Sequence, residues 1–97
     1  MPKYIGLINY TQKGIENVKD SPNRYEGFKK LCESMGANVE AIYLTMGRYD
    51  LMVIVDAPDS ETIAKIMLST ASKGSASTET FQAFTEEEYR KIIAALP

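Results

Sequence analysis

The chain has 97 residues, with 11 basic and 13 acidic side chains for a formal net charge of −2, and 44% of it is hydrophobic. That is the size and make-up of one soluble domain, residues 1–97, with no apolar run approaching the roughly 18 to 20 residues of a membrane span. The lack of histidine and the single cysteine, Cys32, exclude a Cys/His metal cluster, an imidazole-based catalytic triad and an intramolecular disulfide, and a pI near 5.1 with scattered lysines and arginines excludes a basic nucleic-acid footprint.

The first predicted element is a strand over Tyr4-Ile5-Gly6-Leu7-Ile8-Asn9-Tyr10, rich in aromatic and β-branched residues and stopped by Thr11-Gln12-Lys13-Gly14. The opening MPKYIGLINY lacks the charged start, longer apolar stretch and small-residue cleavage site of a signal peptide, so a cytoplasmic, reducing home is expected. Residues 15 to 20 add a short helical turn. Ser21 as N-cap and Pro22 at the first helical position then open a helix whose Tyr25, Phe28, Leu31/Cys32 and Met35 recur at helical spacing until Gly36. Val39 to Met46 and Tyr49 to Val55 are two apolar-rich runs joined by Gly47-Arg48, a glycine-first pair that suits a type II′ hairpin. Ala57-Pro58 breaks the second run, and Asp59 or Ser60 caps a helix to about Ser72 with Ile63, Ile66 and Met67 on one face. A fourth strand runs from Glu79 to Phe84. Thr85-Glu86-Glu87-Glu88 forms a capping box ahead of a last helix marked by Tyr89, Ile92, Ile93 and Leu96.

The order β-α-β-β-α-β plus a helix is the split βαβ, or ferredoxin-like, plait of the α+β class. Right-handed crossovers place strands one and three at the centre of a four-stranded antiparallel sheet, with both main helices on one face. A two-residue hairpin loop sets Leu44 opposite Leu51, Tyr43 opposite Met52, Ile42 opposite Val53 and Ala41 opposite Ile54. Ile42, Leu44, Leu51, Val53 and Val55 therefore face the helices. Tyr43, Thr45, Asp50, Met52 and Ile54 face away, joined by alternation in the outer strands by Tyr4, Ile8, Tyr10, Thr78, Thr80 and Gln82. Burying each large apolar side chain there is worth about 1.5–3 kcal/mol, so a second copy of the sheet is the expected cover. Such a homodimer, or a larger homo-oligomer, would enclose a candidate ligand pocket of Tyr10, Tyr43, Thr45, Asp50, Thr80 and Gln82.

Asp50 is the candidate catalytic residue, since aspartate has poor strand propensity and a buried carboxyl can take a shifted pKa. Its structural alternative is to bond the Thr45 hydroxyl or nearby backbone amides. Tyr49 falls on the helix side by register, where packing accounts for it. Cys32 reads as packing, Glu86-Glu87-Glu88 as helix capping, and Lys73-Gly74-Ser75 lacks the frame of a phosphate-binding loop.

Residues Thr45-Met46-Gly47-Arg48-Tyr49-Asp50-Leu51, followed by an aliphatic strand and Ala57-Pro58-Asp59, resemble the signature hairpin of the GYD family. Tyr4 and Asn9, Ile15 to Pro22, and Ala83-Phe84-Thr85 extend the resemblance over nearly the whole chain. The signature falls on Gly47, Tyr49 and Asp50. The resemblance implies a bacterial or archaeal ferredoxin-like subunit of the dimeric α/β-barrel kind, with no activity to carry over. No cofactor is expected. Three functions are therefore expected to compete. They are a homodimeric small-molecule-binding or regulatory protein, a cofactor-free oxygenase, isomerase or decarboxylase, and a structural assembly module. Neither nucleic acid nor membrane is an expected partner.

Overall fold

Strand β1 (Lys3–Tyr10) lies between β3 (Leu51–Asp56) and β4 (Ala76–Ala83), and β2 (Asn38–Leu44) flanks β3, in a computed structural model that describes all 97 residues. The order is β2-β3-β1-β4 with every pair antiparallel, the ferredoxin-like plait. Helices α2 (Ser21–Ser34) and α3 (Ser60–Ala71) cross one face, while α1 (Gln12–Glu16) and a 3₁₀ turn (Val18–Asp20) fill the first crossover. Helix α4 (Glu86–Ala94) follows β4.

The core is the layer between the two long helices and the sheet. Phe28 and Cys32 of α2 and Ile63, Ile66 and Met67 of α3 meet Tyr4, Ile8, Val53 and Val55 of the sheet. Gly6 lets α3 come close, because a Cβ there would stand 2.9 Å from Val53 Cγ2 and 3.1 Å from Met67 Cε. Local chemistry sets the ends. Asp59 caps α3 by accepting from the Thr62 amide at 2.8 Å, and Gly36 leaves α2 with φ +77°. Thr85 and Glu88 close the expected capping box at the start of α4. Ser21 lies one residue inside α2 instead of capping it, and its hydroxyl meets the Tyr10 hydroxyl at 2.9 Å.

The hairpin register is the expected one, with Leu44 opposite Leu51, Tyr43 opposite Met52, Ile42 opposite Val53 and Ala41 opposite Ile54. A bulge at Glu40 then shifts the pairing, so that Val39 still opposes Val55. The ladder opens earlier than expected, leaving residues 45–50 as a loop in which Gly47 takes φ +103°.

Strand parity in β1 and β4 is the reverse of that expected. Tyr4 opposes Val55 and Gln82, Gly6 opposes Val53 and Thr80, and Ile8 opposes Leu51 and Thr78. Directly opposed residues point to one side of a sheet, so Tyr4, Ile8, Thr78, Thr80 and Gln82 belong to the helix-covered face. The open face carries Ile5, Leu7, Met52, Ile54 and Phe81 instead, with Tyr43 beside Met52. The physical reason is that β1 is apolar at both parities, so its alternation carries no side information. Leu44 keeps its side but not its burial, and at 77% exposure it lies beyond the cover of α2.

Candidate functional site

The signature hairpin is built from backbone bonds. The Thr45 N–H donates to the Asp50 carbonyl at 2.8 Å and its hydroxyl donates to the Tyr49 carbonyl at 2.6 Å, closing the loop around Gly47. Asp50 then ties that loop to the neighbouring strand. Its N–H donates to the Ile8 carbonyl at 2.9 Å, and its carboxylate accepts from the Tyr10 N–H, also at 2.9 Å. The carboxylate thus takes the place of a ladder carbonyl where the β1–β3 pairing ends, the role of a strand clamp.

Tyr49 departs from its expected place on the helix side. Its hydroxyl donates to the Glu79 carboxylate on the open face, which holds the phenol above its ordinary value of 10.0, the hydrogen bond being the main cause. Because Glu79 opposes Leu7, this contact crosses β1 and joins the hairpin to β4. Sequence spacing gives no sign of it, because the two residues meet only through the sheet order.

The six expected ligand-binding residues do not converge. Tyr43 stands on the open face and is 54% exposed. The Thr45 hydroxyl is occupied by the Tyr49 carbonyl of the loop and the Asp50 carboxylate by the Tyr10 N–H of β1. Tyr10, Thr80 and Gln82 lie on the helix side, where Tyr10 borders a narrow cavity under α2 and the other two border an open groove of about 830 Å³ beside α3. The sheet separates Tyr43 from those three. No group of three or more His, Cys, Asp or Glu side chains is placed to hold a metal ion.

The open face is the surface that the strand reading located only in part. Ile5 sits between Ile54 and Phe81, and Leu7 between Met52 and Glu79, giving a continuous apolar strip across the sheet. Phe81 is 45% exposed. Ionic groups close one end of the strip, where Lys3 bonds Asp56 at 2.8 Å and also Glu40, the bulged residue. These bonds, Asp56 first, raise the Lys3 ammonium above its ordinary value. The signal available for this face was Phe81 itself, a large aromatic alternating with the polar Thr80 and Gln82.

Helix α4 adds a second uncovered apolar surface. Tyr89, Ile92, Ile93 and Leu96 follow one another at helical spacing and are all exposed, while Glu86–Arg90 and Glu87–Lys91 pairs line the polar side. The other candidates read as structure. Cys32 is fully buried and burial pushes its thiol up to about 11, so it packs as a small hydrophobe.

The fold and this arrangement define a class, a ferredoxin-like α+β domain with one helix-covered sheet face and one open, apolar face. The profile of the GYD domain matches residues 4–93, and the chain belongs to the GYD-domain family. A relative from Thermus thermophilus, named glutamine synthetase and cystathionine beta-lyase binding protein, is 38% identical over 84 residues, covering 86% of this chain and 88% of the relative. Among solved structures, the Mycobacterium tuberculosis feast or famine regulatory protein complexed with L-methionine superposes with a TM-score of 0.66 at 13% identity, over 88% of this chain and 51% of that one. The chain therefore spans about half the length of such regulators. A Thermus thermophilus protein of known structure gives a TM-score of 0.55 at 22% identity, over 88% of this chain and 95% of that one. Both structural likenesses are likenesses of fold.

No helix is long and apolar enough to cross a membrane.

Proposed function

We propose that two copies of this chain pair through their open sheet faces, and that the homodimer is a regulatory binding protein which works by docking other proteins, without a catalytic step. The observation that carries this reading is the open face itself, where Ile5, Leu7, Met52 and Ile54 are contiguous and only partly buried and Phe81 beside them is exposed. Each large apolar side chain buried there contributes about 1.5–3 kcal/mol, enough in sum to offset the cost of association when several are covered together. The name of the Thermus thermophilus relative, a binder of two enzymes, supports folded proteins as the partner class. A cytoplasmic setting belongs to the same proposal and rests on the unpaired Cys32.

Binding is favoured over turnover because the carboxylate offered for acid–base work, Asp50, is held by the Tyr10 amide. A small ligand between paired sheets would be walled by Tyr43, Tyr49 and Glu79, the polar groups of that face and its rim. Light scattering tests the core of the proposal. The parent should have the mass of a dimer, and Ile54→Asp should have the mass of a monomer with an unchanged circular dichroism spectrum. A monomeric parent, or a dimer untouched by Ile54→Asp, sinks it.

A further inference from the structure

A cleft on the opposite side of the molecule, between α2 and the end of α3, has the build of a ligand site. Its polar mouth, about 320 Å³, is lined by Asp20, Asn23, Arg24, Gly27, Thr70 and Lys73. It continues inward, sharing Arg24, Phe28 and Thr70, to a smaller and mainly apolar cavity of about 70 Å³ bordered by Ile8, Tyr25 and Val53. The charged groups are Asp20 and Lys73 at the mouth and Arg24 where mouth and cavity meet. The Lys73 ammonium makes no ion pair, and the Arg24 guanidinium donates to the Asn17 carbonyl at 2.8 Å and the Gly14 carbonyl at 3.2 Å, leaving other N–H groups free. Asp20 is the one carboxylate there, bonded by Asn23 at 3.0 Å and 4.0 Å from Arg24.

The wall is rigidly held. Thr11 donates its hydroxyl to the Gly74 carbonyl at 2.6 Å and its N–H to the Ser75 carbonyl at 3.2 Å, and Lys13 bonds the Lys73 carbonyl at 3.1 Å. Those bonds fix the turn that carries Lys73 against the end of β1. Gly27 supplies an independent observation. It sits in the interior of α2, where glycine is disfavoured relative to alanine, yet its φ is not positive and an added Cβ would meet nothing within 4 Å. Neither packing nor backbone geometry calls for glycine at this position. What the missing side chain leaves is bare helix backbone facing the cleft.

We infer that this cleft binds a small zwitterion with a short apolar tail, of the α-amino acid class. Its carboxylate lies beside Lys73 and Arg24, its ammonium beside Asp20, and its side chain points past Phe28 into the apolar cavity. The site is independent of the sheet face and of the dimer.

The test uses the full chain, ¹⁵N-labelled, titrated with L-leucine, with 4-methylpentanoate (leucine without the amine) and with 3-methylbutylamine (leucine without the carboxylate). L-leucine should shift the amides of Asn23, Gly27, Ser75 and Ala76, and each single-charge analogue should bind about tenfold or more weakly, the effect of losing one charged hydrogen bond. Lys73→Gln should weaken L-leucine by a similar factor. Gly27→Leu should abolish binding while the melting temperature holds or rises, because leucine is the better helix former. Gly27→Ala should raise the melting temperature and weaken binding less. Absence of shifts at those amides, equal binding of either analogue, or undiminished binding by Gly27→Leu overturns the assignment.

Discussion

The two faces of β3 differ by one residue and by almost everything else. Val53 and Val55 are 1% and 0% exposed beneath α2 and α3, whereas their strand neighbours Met52 and Ile54 are partly exposed on the open side. Composition does not separate the pairs, since all four are aliphatic or thioether side chains. What separates them is that the two crossover helices return to the same side of the sheet. The lesson is that an apolar strand states how much surface needs cover, and the helices decide how much of that cover this chain supplies. On the open side, the remainder falls to the partner copy proposed above.

The comparison is most directly broken in the core. Ile66, fully buried, should lose about 2–5 kcal/mol of stability as Ile66→Ala, read from the shift in urea midpoint. Ile54→Ala, on the open face, should cost the isolated subunit far less and act mainly by weakening the dimer, so that the midpoint depends less on protein concentration than in the parent. Equal losses at the two positions would mean that the faces are not distinct.

Asp50 gives the next largest effect, because it joins the hairpin to β1. Asp50→Ala leaves the Tyr10 N–H without its acceptor and should cost about 1.5–3 kcal/mol by the same measurement, while Asp50→Asn, which keeps an acceptor oxygen, should cost less. A loss in Asp50→Asn as large as in Asp50→Ala would point to the charge, and not the clamp, as the purpose of the residue.

The smallest effects come from pH, and they separate the helix caps from the open face. Backbone N–H groups of Thr62 and Thr85 hold the Asp59 and Glu88 carboxyls below their ordinary values of 3.8 and 4.5. The fold favours their ionised forms, so their contribution is whole above those ordinary values and fades as pH falls through the lowered ones. Tyr49 and Lys3 run the other way. Their protonated forms are favoured and their values raised, so their contribution is whole below 10.0 and 10.5 respectively and is lost as pH rises through the raised values. Melting temperature against pH should therefore sag at both extremes, with Glu79→Gln flattening part of the alkaline limb and Asp59→Asn part of the acid limb.

Much of the fold was legible in local chemistry. Gly36, Asp59 and the Thr85–Glu88 box each act within a few residues of themselves, and each sets its helix end as its residue type requires. The residues around Gly47-Arg48 likewise hold the β2–β3 register, because Thr45 bonds the Asp50 and Tyr49 carbonyls and leaves the loop little freedom to slip. The candidate site was legible only in fragments. Tyr10 in β1 and Thr80 and Gln82 in β4 lie in strands with no hairpin to tie their parity to β3, and their side was decided by the long-range β1–β3 and β1–β4 pairings. Asp50 announced itself as an unusual strand residue, but its partner, the Tyr10 amide, is separated from it along the chain by α1, α2 and β2. Gly27 carries no local mark of a role, and its place on the cleft wall appears only in the tertiary structure.

The amino-acid sequence by itself determined the four strands and three longer helices, their order, the hairpin register and the family, because capping, turn chemistry and apolar periodicity all act over a few residues; α1 (Gln12–Glu16) and the start of β4 at Ala76 it did not mark. Only the tertiary structure decided which parity of β1 meets the helices, which side chains share a face, and that a carboxylate in the signature hairpin serves a backbone amide. Those outcomes depend on contacts between residues distant along the chain, and a strand apolar on both sides carries no local mark of which way it will turn.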